Sequence, residues 1–220
     1  LTVDEDGRAS WEALEAVTRH PPINKDGSHT LLKVTTKSGR SVIATRAKSF
    51  LVVKGGKLVD VAGEDLKVGD PMPVIRNLPA AGTQTTVDGD PLTARLGLYV
   101  GVYLPDGKIP QPPPLEVGLP EQLEAKLRAW CTWEEHERRV PVFAFDAPTP
   151  FVEGLLSTCV TSTFRSKALA EGLALLLTRV GGSATLRTTE VKKHQPVLYS
   201  IEYQKGGNLQ QREVFLDPGA

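Results

Sequence analysis

The chain has 220 residues, and its 26 lysines and arginines balance its 26 aspartates and glutamates, so the formal net charge is zero. This balance argues against a strongly basic nucleic-acid binder, although a local basic groove remains compatible with it. A hydrophobic content of 40% is sufficient for a folded core and excludes a disordered chain.

Cysteine usage and hydropathy indicate the compartment. The two cysteines, Cys131 and Cys159, are far apart in sequence and form neither a disulfide framework nor a metal-ligand spacing, which favours a reducing, cytoplasmic environment. The chain has no apolar run near the roughly 20 residues of a membrane span, and its first residues do not resemble a signal peptide. We therefore expect an intracellular protein without a membrane partner.

The first third of the chain has the pattern of short β-strands. Strands are predicted at 31–36 and 40–45, joined by a turn at Ser38-Gly39, and at 49–53, followed by a turn at Gly55-Gly56. A further strand is predicted at 72–75. Many short strands with polar turns predict an all-β module that is folded on itself.

The pattern changes after residue 79. A linker is predicted at 80–91, and the domain boundary is placed near residue 85. Helices are then predicted at 92–104, 120–133, 151–157 and 166–180, followed by strands at 184–187 and 197–203. The second part is therefore predicted to be an α+β domain.

The segment from Thr35 to Leu51 resembles the second conserved block of inteins, the self-splicing protein elements. This block has a hairpin with a Ser/Thr-Gly turn, then Thr-x-x-His, then an apolar run. The segment Leu66–Val74 resembles the stretch that follows in inteins, and the whole likeness covers about residues 9–78. The resemblance implies an all-β, horseshoe-like splicing domain (the Hint fold) formed by residues 1–84 and 212–220. Its partner would be the host protein, whose flanking parts are the exteins, and splicing would need no cofactor.

The same resemblance assigns two catalytic residues. Thr45 takes the place of the threonine that distorts the scissile amide, and Lys48 stands where inteins have a histidine. Lysine, with an ordinary pKa near 10.4, is a poorer acid–base group at neutral pH. Two interpretations therefore stay open: a functional lysine, or a surface residue in an inactive or variant site. Thr45 has its own alternative, an ordinary β-branched strand residue.

The ends of the chain bear on splicing. The sequence opens on Leu1 without a cysteine or serine nucleophile, and it closes on Gly219-Ala220 without the His-Asn pair of inteins. These residues alone are therefore not expected to complete splicing.

The segment Leu96–Gly107 resembles the first LAGLIDADG helix of homing endonucleases. Gly97 and Gly101 share one helix face, where small residues allow two helices to approach closely. Asp106 follows at the end of the helix, where the family's acid holds a divalent cation, here expected to be Mg²⁺. Gly154 has the packing role in the second such helix, which starts at 151–156. An alternative for the first motif is a buried helix that ends in a Pro-Asp-Gly turn.

Further segments fit the same resemblance. The stretches 138–143, 161–172 and 215–218 follow in the order found in inteins of RNA or DNA polymerase genes. The resemblance implies an α+β LAGLIDADG endonuclease-like domain over residues 85–211, with double-stranded DNA as a partner. Candidate phosphate contacts, each of which could also be an ordinary solvated basic residue, are Arg187, Lys192, Lys193 and Lys205.

The second LAGLIDADG helix departs from the family. It should end in an acid, yet no acidic residue lies between Glu153 and Glu171. Because the flanking segments match well, a missing segment is favoured over stepwise decay. We therefore predict an intein that catalyses its own excision and extein ligation by acyl shifts, with an inserted DNA endonuclease-like domain that is either active or degenerate. The alternatives are a stand-alone LAGLIDADG endonuclease or maturase, a Hedgehog-type self-processing domain, and a catalytically silent relic.

Overall fold

In the computed structural model the described residues form two compact units. They are 2–4, 6–17, 19, 21–75, 78–79, 83–107, 122–131, 133–134, 137–159, 163–189 and 197–204. The N-terminal unit comprises Leu1–Pro79 and the C-terminal unit Ala80–Gly206. The segment 212–220, assigned above to the splicing domain, lies outside the described residues.

Antiparallel hairpins build the N-terminal unit. They pair β1 (Thr2–Val3) with β2 (Ala9–Ser10), β3 (Leu31–Thr35) with β4 (Ser41–Thr45), and β5 (Ser49–Lys54) with β6 (Lys57–Ala62). Gly55 and Gly56 have φ angles of 58° and 76°, which suit the tight two-residue turn between β5 and β6. A 3₁₀ turn, Gly63–Asp65, follows β6. Four buried apolar residues of the last hairpin form a small core: Phe50, Val52, Val53 and Val61.

The strand predicted at 72–75 is wrong, since these residues have no regular structure. Pro71 and Pro73 have no N–H group to donate to a strand ladder, which is why proline is rare inside sheets. The segment is held in another way, because the Val53 N–H donates to the Pro71 carbonyl at 2.8 Å.

The segment predicted to be a linker contains a small hairpin instead. Strand β7 (Thr86–Val87) pairs with β8 (Asp90–Pro91) around Asp88 and Gly89, whose φ angles are 46° and 82°. An Asp-Gly pair with two positive φ angles favours such a turn. Trp130 Nε1 donates to the Asp88 carboxylate at 2.7 Å, so the hairpin is part of the C-terminal unit.

Helices and one long hairpin build the rest of the C-terminal unit. The helices are α1 (Ala94–Tyr103), α2 (Leu123–Trp130), α3 (Thr149–Cys159) and α4 (Lys167–Arg179). The short strands β9 (Trp133–Glu134) and β10 (Glu137–Arg138) lie between α2 and α3, as does a 3₁₀ turn at Val142–Phe145. Strands β11 (Ser183–Thr189) and β12 (Leu198–Gln204) pair along their full length. Leu186 and Ile201 turn one face of this hairpin into the core with α1, α3 and α4.

Local signals explain where the helices begin and end. Thr93 caps α1 by accepting a hydrogen bond from the Leu96 N–H at 3.2 Å, and Ser166 caps α4 in the same way through Leu169 at 3.1 Å. Helix α4 ends before Gly181, which has a φ of 80°. No helix in the described part of the chain is long and apolar enough to cross a membrane. The Hint and LAGLIDADG fold assignments stay predictions.

Candidate functional sites

Helices α1 and α3 touch along their backbones through three glycines. A Cβ added to Gly97 would overlap with the Phe151 carbonyl, and one added to Gly101 with the Leu155 carbonyl. A Cβ on Gly154 would overlap with the carbonyl of Ala94. The structure thus places all three predicted helix-packing glycines at one crossing, where any larger residue would force the helices apart.

Asp106 lies on the turn that follows α1. The Leu104 N–H still donates to the Val100 carbonyl at 2.9 Å, and the Gly107 N–H donates to the Tyr103 carbonyl at 2.8 Å. Gly107 has a φ of 74°, and the Asp106 side chain is exposed. The predicted acid therefore stands at the C-terminal end of one of the two crossing helices.

Cys159 holds the corresponding position on α3. Asp106 lies five positions after Gly101, and Cys159 lies five positions after Gly154. The Cys159 thiol is fully buried, donates to the Leu155 carbonyl at 3.1 Å, and has its pKa raised to about 12 by burial. Helix α3 is continuous to this residue, and the preference for a missing segment stays a prediction. Cys159 stands where the resemblance places the second acid.

The residues at the two helix ends do not fit a Mg²⁺ ion. Mg²⁺ prefers oxygen ligands, whereas the buried Cys159 thiol is protonated and soft. Within the ranges that the structure describes, no three His, Cys, Asp or Glu side chains cluster in a way that could hold a metal. Of the two residues at the predicted acid positions, Asp106 is a carboxylate and Cys159 is not.

Of the predicted DNA-binding residues, Arg187 is among those that the structure describes. Arg187 lies on the outer face of the β11–β12 hairpin, opposite the face with Leu186. Its Nε and Nη2 both lie 3.0 Å from a Glu202 carboxylate oxygen. This ion pair offsets the positive charge of Arg187 that would attract a DNA phosphate. Lys192, Lys193 and Lys205 lie outside the described residues.

Thr45 and Lys48 stand at the two ends of one turn between β4 and β5. Thr45 is half-buried and pairs with Leu31, and its carbonyl accepts from the Lys48 N–H at 3.1 Å. Lys48 is exposed, and its carbonyl accepts from the Gly63 N–H at 2.9 Å. The turn therefore presents a hydroxyl and an ammonium group on neighbouring backbone.

Asn24 organises this turn, and sequence reasoning missed it. Its buried side chain accepts from the Arg46 N–H at 3.1 Å and donates to the Thr30 carbonyl at 2.7 Å. Arg46 pairs with Asp26 at 2.8 Å. Hydrogen bonds from Ser28, followed by the charge of Arg46, hold the pKa of Asp26 below its usual value. No motif marks Asn24, because its partners are separated in sequence.

Comparison with known proteins gives three partial likenesses and no matching protein-family profile. The chain is 38% identical over 80 residues to the DNA-directed RNA polymerase subunit Rpo1C of Methanocaldococcus jannaschii, covering 36% of this chain and 9% of that protein. It is 34% identical over 109 residues to the replication factor C small subunit of Thermococcus kodakarensis, covering 49% of this chain and 11% of the relative. It is 36% identical over 85 residues to the DNA polymerase II large subunit of Haloquadratum walsbyi, covering 39% of this chain and 4% of that protein.

These likenesses share one property. The matched parts amount to about a tenth or less of each relative. The chain is therefore similar to short segments of archaeal transcription and replication proteins, including an RNA polymerase and a DNA polymerase subunit.

Proposed function

We propose that this chain belongs to an intein, with the N-terminal unit in the splicing domain and the C-terminal unit in an inserted LAGLIDADG endonuclease-like domain. The three relatives support the proposal because they have different names and functions, yet each matches over a small part of its length. Short stretches shared with such different proteins are more simply explained by an insertion than by a polymerase domain.

The observation that carries the endonuclease-like assignment is the glycine crossing of α1 and α3. Gly97, Gly101 and Gly154 bring two backbones together, with Asp106 at the end of one helix. Cys159 at the end of the other removes the second carboxylate. The proposed domain is accordingly a degenerate endonuclease that binds DNA without Mg²⁺-dependent cleavage.

DNA binding by the C-terminal unit is tested through the Arg187–Glu202 pair. We expect Glu202→Gln to tighten binding to a random duplex DNA pool about threefold in 50 mM salt, because it frees Arg187 for a phosphate. Binding is measured by fluorescence anisotropy at several salt concentrations. When Mg²⁺ is added to the unmodified chain with the same DNA pool, we expect no cleavage of the DNA.

Glu171→Gln is the matched control. It removes the same charge and breaks the 3.0 Å ion pair with Lys167, but it lies on α4 instead of the outer sheet face. Equal tightening by both variants would show that net charge alone causes the effect. It would then contradict a DNA-binding role for Arg187. Mg²⁺-dependent cleavage that disappears in Asp106→Ala would contradict the degenerate centre.

Splicing is tested with the chain expressed together with the residues that flank it in its own gene. We expect Thr45→Ala to reduce the rate of cleavage at the upstream junction at least tenfold, and Lys48→His to raise it, because an imidazole titrates near neutral pH. Intact-mass spectrometry of the products over time measures both. Val42→Thr, on the same strand away from the turn, is the control; unchanged products in all three variants would contradict a role for this turn.

A further inference from the structure

Arg138 is a buried cation at the C-terminal end of α1. Only 6% of the residue is exposed, and its Nη1 donates to the Tyr103 carbonyl at 2.9 Å and to the Leu104 carbonyl at 2.8 Å. The last carbonyls of a helix have no partner within it and carry its negative dipole end, so a guanidinium there stabilises the final turn. Arg138 therefore caps the C-terminal end of α1, two residues before Asp106.

The loop after α1 is shaped around the same guanidinium. Gly107 has a φ of 74°, and a Cβ added to it would overlap with Arg138 Nη2. The loop can lie this close only because residue 107 has no side chain. Arg138 thus contacts the chain on both sides of Asp106: the Tyr103 and Leu104 carbonyls before it and Gly107 after it.

Arg138 is itself held from the far side. Ser166, the N-cap of α4, donates from Oγ to the Arg138 carbonyl at 2.6 Å. The Arg138 guanidinium also lies 5.9 Å from the centre of the Tyr103 ring. One residue on β10 thereby connects the start of α4 to the end of α1.

We propose that Arg138 is the positioning residue of Asp106, fixing the last turn of α1 and the loop that presents the carboxylate. The inference rests on the proposed function in one respect, namely that Asp106 faces DNA. Arg138 itself is too buried to reach a phosphate, so it acts through the loop.

A double-mutant cycle on DNA affinity tests this role. Asp106→Asn removes repulsion from phosphates and should tighten binding to the duplex pool about threefold without Mg²⁺. In an Arg138→Met background the loop is released, and the same change should have less than about half of that effect. Arg138→Lys, which can still donate to the two carbonyls, should restore the coupling. A structural role alone leaves the two effects additive, which would overturn the proposal.

Two further variants keep the test decisive if Arg138→Met does not fold. Gly107→Ala strains a loop residue whose φ is 74° and crowds the Arg138 guanidinium while keeping its charge, and it should likewise reduce the Asp106→Asn effect to less than about half. Arg179→Met is the matched control, since Arg179 also donates to two carbonyls, those of Ala144 and Ala147, but away from Asp106. Its cycle with Asp106→Asn should be additive.

Amide hydrogen exchange by NMR separates failure of this inference from failure of the proposed function. If the chain binds no DNA, the proposed function fails. Exchange at the Gly107 N–H still reports the loop, because that group donates to the Tyr103 carbonyl. It should become at least tenfold faster in Arg138→Met, recover in Arg138→Lys, and stay unchanged in Arg179→Met. Unchanged exchange in Arg138→Met would overturn the positioning role.

Discussion

Gly101→Ala is expected to destabilise the C-terminal unit by about 3 kcal/mol or more. The added Cβ would overlap with the Leu155 carbonyl and with Thr158 Oγ1 on the facing helix, and backbone cannot move aside as a side-chain tip can. The gain in helix propensity from glycine to alanine, about 1 kcal/mol, offsets only part of this cost. Urea unfolding followed by tryptophan fluorescence measures it. A Trp11→Phe background leaves the signal to Trp130 and Trp133, both in the C-terminal unit.

Gly172→Ala is the control for that experiment. Gly172 also lies within a helix, α4, but its added Cβ would meet Val140 Cγ2 at 2.8 Å, the end of a side chain that can shift. We expect a change within about 1 kcal/mol in either direction, because propensity and crowding oppose each other. If Gly101→Ala were as mild as Gly172→Ala, the glycines would not be what brings α1 and α3 together.

Cys159→Asp is expected to destabilise the fold strongly at neutral pH and much less in acid. Position 159 is fully buried, and burial raises the pKa of a carboxyl group in the folded state. Below the pKa of about 3.9 that aspartate has in the unfolded chain, the new carboxyl group is neutral in both the folded and the unfolded state. Its ionisation therefore does not lower the free energy of unfolding there. As the pH rises toward the folded pKa, only the unfolded chain ionises, and about 1.4 kcal/mol of stability is lost for each unit of the shift.

Stability of Cys159→Asp relative to the parent chain, measured by urea unfolding at pH 4, 6 and 8, checks this sign. Ser157→Asp adds the same charge to the same helix end, but on an exposed residue. It should cost less than about 1 kcal/mol, through the unfavourable helix dipole, and should depend little on pH. If Cys159→Asp instead retained full stability at pH 8 and bound Mg²⁺, the helix end would be open enough for a second acid. The centre would then be recoverable by one substitution.

The Cys159 experiment also bears on how the proposed endonuclease lost its centre. A thiol that packs against the Leu155 carbonyl contributes to the core, whereas a carboxylate in the same place would need a metal or solvent to compensate its charge. In the proposed endonuclease-like domain, replacing an acid by cysteine at this position would exchange a metal-dependent site for packing. The glycine crossing can remain intact after that exchange, since it depends on other residues.

The sequence by itself determined the elements whose signals lie within a few residues. The cap at Ser166, the leucine face of α4 and the glycine after it mark that helix locally, and Gly55-Gly56 marks the turn of the second long hairpin. The four-residue spacing of Gly97 and Gly101 likewise indicates a close approach. Such signals need no knowledge of distant residues, because helix periodicity and positive φ angles are properties of the local backbone.

Only the tertiary structure decided which groups those elements meet. In the sequence Arg138 is one of two adjacent basic residues with no distinguishing pattern. In the structure it donates hydrogen bonds to carbonyls 34 and 35 residues away. Asn24 has no motif, and it holds a backbone N–H 22 residues further on. Cys159 became the counterpart of Asp106 only when α3 proved continuous and packed on α1. Burial and hydrogen bonding of these groups depend on long-range contacts, which no local pattern encodes.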